Sequence, residues 1–141
     1  MTDKRPFFLF NSPTDFGVVI AKRTGRPLAS LADVPVAFGG AVERLDPYRE
    51  QYALLVDLRE ARGRNEPKYE KAISEYRARL YAGFRPQVTL VRSSVGLLQV
   101  SRHARQDALD TLITASVKGA ATHLGCDAEI LDKVLNTLDA S

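Results

Sequence analysis

Apolar and polar positions alternate along this chain in blocks that switch between the period of a strand and that of a helix. Phe7-Phe8-Leu9-Phe10 predicts a short strand, broken by the turn formers Asn11-Ser12-Pro13-Thr14-Asp15. The β-branched run Gly17-Val18-Val19-Ile20-Ala21 predicts a second, closed by Thr24-Gly25-Arg26-Pro27, and the two suit an antiparallel hairpin. Val34, Ala37, Phe38, Ala41, Val42 and Leu45 then recur at helical spacing, predicting a helix over 34–45 despite Pro35 and Gly39-Gly40. Tyr52 to Leu58 is apolar almost throughout, as a strand covered on both faces is.

The next helix has the clearest signature. Asn65 is placed to cap it and Pro67 to sit in its first turn. Tyr69, Ile73, Tyr76, Leu80 and Phe84 form a single apolar stripe, with Lys71, Glu75, Arg77 and Arg79 off it and Gly83 as the stop. Gln87 to Val91 reads as another buried strand. Ser93-Ser94 offers an N-cap, and Val95 to Val100 fits either continued strand or a helix running to Arg105 through Leu97, Val100 and Ala104. Thr111 to Thr114 predicts a last short strand. Ser116 caps a helix over Val117 to Leu124 ending at Gly125, and Asp127 caps a final one striped by Ile130, Leu131, Val134, Leu135 and Leu138. The order ββαβαβαβα plus an additional C-terminal helix over 126–141 predicts one α/β domain over 1–141. Its sheet is mixed and mainly parallel, of about five strands, with helices packed on it.

Composition narrows the function classes more than it names one. A chain of 141 residues fits one domain, and the apolar run of four at Phe7 is shorter than the roughly 7–15 residues of a signal-peptide core. No stretch reaches the roughly 18–20 apolar residues of a membrane span, so no membrane association is expected, and the lone Cys126 fits a reducing cytoplasm. Twenty Lys and Arg against seventeen Asp and Glu is a mild basic excess. Nucleic-acid binding would need arginines interleaved with exposed aromatics, whereas Tyr69, Tyr76 and Phe84 are expected against the sheet.

Leu54-Leu55-Val56-Asp57-Leu58, Gly63-Arg64-Asn65-Glu66-Pro67 with Tyr69-Glu70, Val88 to Ser93 and Gly96 to Arg105, taken with the element order, resemble the STAS domain of bacterial anti-sigma-factor antagonists. The resemblance implies a non-enzymatic switch module that docks on a regulatory or kinase-like protein. In such switches the phosphorylated hydroxyl stands at the N-terminus of the helix after the central strand. Here that segment is Gly63-Arg64-Asn65-Glu66, which has no hydroxyl, and Glu66 supplies a fixed negative charge instead.

The residues themselves offer one constellation with chemical content. Arg59, Arg62 and Arg64 follow the central strand, Arg92 follows the next, and Arg102, His103 and Arg105 lie just beyond. Ligands of open α/β sheets collect outside the carboxyl ends of the strands, so a candidate partner- or anion-binding site comprises Arg62, Gly63, Arg64, Asn65, Glu66, Arg92, Ser93 and Arg102. Local pairing to Glu60, Glu66 and Asp107 is the competing reading of the same arginines. Asp57 is expected to accept backbone amides of the following turn. His103 and His123 have no ligands at metal spacing, and no acid, base and nucleophile converge, so neither enzyme, metal nor cofactor is expected. A regulatory protein partner is expected, with a sensor for an anionic metabolite or nucleotide as the alternative. The final helix packs on its own domain or crosses to a second copy as a homodimer.

Overall fold

The computed structural model describes residues 3–13, 16–62, 66–107 and 109–138, the side chain of Ser94 excepted. Five strands, β1 (Phe8–Phe10), β2 (Val18–Arg23), β3 (Ala53–Asp57), β4 (Gln87–Leu90) and β5 (Leu112–Thr114), form one sheet in the order β1-β2-β3-β4-β5. β1 and β2 are antiparallel and every other pair is parallel. This is the mixed α/β sheet that the alternating pattern predicts.

The helices are α1 (Gly40–Leu45), α2 (Pro67–Tyr81), α3 (Ser94–Gln106), α4 (Val117–Leu124) and α5 (Ala128–Thr137). A π-helical turn, Pro35–Gly39, leads into α1, so the segment is helical through both glycines. The steady strand order explains where the helices go. Crossovers of one hand that always advance in one direction place their helices on one face of the sheet. The apolar core on that face joins Val19, Ala21, Leu54 and Val56 to residues of α1 and α2. The chain then folds back after β5. Leu131 and Leu135 of α5, with Ala120 and Leu124 of α4, cover Val18, Ile20, Leu55, Val88 and Leu90 on the opposite face. The final helix therefore packs on its own domain.

The caps follow the sequence closely. Ser93, Ser116 and Asp127 each accept a backbone amide at the start of α3, α4 and α5. Residues 94–106 are thus a helix rather than continued strand. Two expectations are corrected. The N-cap of α2 is Glu66, without a side-chain cap bond, while Asn65 lies outside the described residues. Ile130 is half exposed because Leu131 and Leu135, one turn apart, take the inward line of α5 and leave it on the flank.

Candidate functional site

Between α2, α3 and the carboxyl ends of β3 and β4 lies a cavity of about 340 Å³. It sits at the lower end of the roughly 300–1,000 Å³ typical of small-molecule sites, and in the place where open α/β sheets collect ligands. Its middle is apolar, walled by Val56, Ile73, Val91, Val100 and Ala104. Its charged lining is one-sided. Among the described residues, Arg23, Arg59, Arg62, Arg77 and Arg92 face it, against Glu70 alone of the carboxylates.

These arginines differ in what already holds them. Arg59 is bidentate to Asp57, with Nε 3.0 Å from Oδ1 and Nη2 3.0 Å from Oδ2. Asp57 itself is buried, and its Oδ1 also accepts the Arg59 backbone amide at 3.0 Å, the turn contact expected of it. Arg77 is shared between helices, donating to Glu70 on its own helix (3.1 Å) and to Asp107 beyond α3 (2.9 Å). Arg23 is 3% exposed and has no carboxylate partner among the described residues. Its guanidinium donates instead to the carbonyls of Phe7, Thr24 and Arg26. Burial, helped by Arg26 and Arg5, lowers its pKa to about 10, which still leaves it charged at neutral pH. Arg62 and Arg92 are exposed at the rim and make no ion pair among the described residues. Counting Asp57 and Asp107 behind the wall, five cations meet three anions among the described residues, a surplus of two.

His103 completes the polar side of the cleft. Its Nδ1 lies 2.7 Å from Glu70 Oε2, but the contact is not aligned as a hydrogen bond and leaves that buried nitrogen without a partner among the described residues. Burial pushes its pKa down and the Arg77 and Arg102 charges add to this, outweighing Glu70, so the ring is neutral near pH 7. Away from the strand ends that carry Arg62 and Arg92, where α2 ends and β5 begins, Tyr81, Thr89 and Thr111 form a chain of hydroxyls, with Tyr81 Oη 2.6 Å from Thr89 Oγ1 and that oxygen 3.0 Å from Thr111 Oγ1. Burial raises the Tyr81 phenol to about 12.

Of the residues singled out in the sequence, Arg62, Arg92 and Ser93 line the cleft. Arg102 does not. It points outward from α3, and Glu66 stands exposed at the start of α2. Gly63, Arg64 and Asn65 lie outside the described residues. Two of the acids weighed as local partners of these arginines lie elsewhere. Asp107 goes to Arg77 and Ser74, and Glu60 to Lys22 at 3.5 Å, so neither quenches Arg62 or Arg92. Sequence reasoning missed Arg23, Arg77 and the three hydroxyls. A signal for Arg77 existed. Glu70, Ser74 and Arg77 form a polar column along one side of α2, paired partly within itself and partly to Asp107 beyond α3.

No group of three or more His, Cys, Asp or Glu residues that could hold a metal occurs among the described residues. Cys126 has its thiol pKa raised by burial and by Asp127, the opposite of an activated thiolate. No helix among the described residues is long and apolar enough to cross a membrane. Comparisons with family models, curated proteins and solved structures returned no match.

Proposed function

We propose that this protein is a non-enzymatic sensor domain that binds a small organic anion in the cleft between α2 and α3. The observation that carries this reading is the cleft itself, about 340 Å³, apolar in the middle, and faced by five arginines and one glutamate. Arg62 and Arg92 are the residues that meet the anion, because Arg59 and Arg77 are already committed to carboxylates. The test is a thermal-shift screen of organic acids, nucleotides and phosphorylated metabolites. A bound anion raises Tm by linkage, and Arg62→Glu with Arg92→Glu abolishes the shift. No shift with any anion at millimolar concentration, or an undiminished shift in the double variant, overturns the reading.

Docking of a regulatory protein, the role implied by the STAS resemblance, is supported by a different observation. Val95 and Leu98, each 69% exposed and one turn apart on α3, lie between Arg92 and Arg102. Large apolar residues beside exposed cations suit an acidic partner with an apolar ridge. If docking is the function, charge reversal at Arg64 and Arg102 removes capture of that partner while the domain stays folded. Equal capture by wild type and variant sinks it.

A further inference from the structure

Resting on the anion-binding reading above, we infer that the ligand is two-ended. It is a carboxylate carried on an apolar body of about one ring, with an oxygen acceptor at the end remote from the carboxylate.

A count of hydrogens points to the remote acceptor. Tyr81, Thr89 and Thr111 carry three hydroxyl hydrogens, and the two contacts that join them consume two. Whichever way the chain runs, one hydrogen is left over, with no acceptor among the described residues. All three groups line the cavity, Thr89 is fully buried and Tyr81 is 6% exposed. Thr111, at one end of the hydroxyl chain, is half-buried, so without a ligand the spare hydrogen falls there and faces water, and a ligand oxygen in the cavity takes that water's place. The phenol stays protonated across the physiological range, so the donor is permanent.

The carboxylate belongs at the other end. Arg62 and Arg92 follow β3 and β4 and stand at the mouth without acidic partners among the described residues. One amide at the start of α3, Gly96 N, is already used by Ser93 Oγ at 3.3 Å, so the anion's main holders are the two guanidiniums, whose planar forks match a carboxylate. Between the two ends the walls are aliphatic. Thr89 and Arg92 are three residues apart along one chain, at most about 10 Å. Once the reach of the arginine side chain is allowed for, a single para-substituted ring spans that interval.

Isothermal titration of the full chain with three probes tests this. 4-Acetylbenzoate has both ends, 4-isopropylbenzoate is its near-isostere without the acceptor, and methyl 4-acetylbenzoate lacks the charge. The acetyl acid is expected to bind about tenfold more tightly than the isopropyl acid, the value of one good hydrogen bond, and the ester weakest. The triple variant Tyr81→Phe, Thr89→Val, Thr111→Val removes all three hydroxyls together and leaves no orphan behind. It is expected to bind 4-isopropylbenzoate like wild type, which reports an intact cleft, and to lose the preference for the acetyl acid. Equal binding of the two acids by wild type, both above the ester, overturns the remote acceptor and leaves the anion cleft standing. A preference undiminished in the triple variant also overturns the assignment to these hydroxyls. Binding of neither acid removes the inference and, where the wider anion screen is also silent, the reading beneath it.

Discussion

Asp57 and Arg59 show how a residue's worth depends on its neighbour. Asp57 is 1% exposed, and its carboxylate is held by one backbone amide and two guanidinium nitrogens. Replacing Arg59 with Met strips the charged donors and leaves the carboxylate under the chain. The expected cost is about 2–3 kcal/mol of unfolding free energy, read from urea denaturation, tempered by the water that already reaches Arg59. The turn contact of Asp57 is readable in the sequence, because an Asp at the end of an apolar strand has few other uses. Its arginine partner is not, since Arg59, Arg62 and Arg64 look alike in the sequence and only the fold sorts them. Arg23 is less readable still. A basic residue after a β-branched run reads as a strand leaving the core, yet this one turns inward over the rings of Phe7 and Phe8 and is satisfied by carbonyls. Carbonyl ligands are invisible in a sequence because every residue has one.

At the scale of elements, the stripes and caps carry most of the information. Leu131 and Leu135 are fully buried, Tyr69, Ile73 and Leu80 nearly so, and the three predicted side-chain caps on α3, α4 and α5 all form. What the pattern does not show is pairing between helices, because a charge off the apolar stripe is read as facing water. Arg77, with 17% of its side chain exposed, is such a charge, and it ties α2 to the end of α3. That network makes stability depend on pH. The folded-state pKa of His103 is lowered below its ordinary 6.5 by burial, so in the window just below that value the unfolded chain binds more protons. The urea midpoint is therefore expected to hold above about pH 7 and to fall as pH drops through the His103 window, with a flatter profile in His103→Gln. A profile identical in the two proteins removes His103 from the account. Helix α1 supplies a prediction of opposite sign. Gly40 sits at helical φ and ψ (−61° and −41°), and the space that a Cβ would occupy there is open, with nothing within 4 Å. Gly40→Ala is expected to stabilise the protein by about 0.5–1 kcal/mol in the same assay, through the entropy of the unfolded chain.

For the whole molecule, the sheet has two differently made faces. One is covered by helices that connect the strands, the other by α4 and α5 added after the last strand. The alternation of strands and helices in the sequence is enough to give the sheet, while the apolar stripe of α5 fits its own domain and a second copy equally well. Lys22 shows how firmly it is held at home. Its Nζ donates to the Leu138 carbonyl at 2.9 Å, at the end of α5. Ending the chain at Gly125 keeps α4 over β4 but is expected to uncover Val18, Ile20 and Leu55, producing aggregation or loss of the cooperative melt rather than a smaller folded monomer. A monomeric, cooperatively melting truncation in sedimentation and calorimetry would falsify that view.

The same late covering bears on how the protein is made. Each βαβ step joins strands that are neighbours in sequence, so the sheet can be assembled in the order in which the ribosome delivers it. The latch between Lys22 and Leu138 joins positions 116 residues apart, and its second half emerges only after all five strands. Until then the apolar face of β2, β3 and β4 has only α4 to cover it. An apolar face left open that long is prone to aggregate until α5 docks on it.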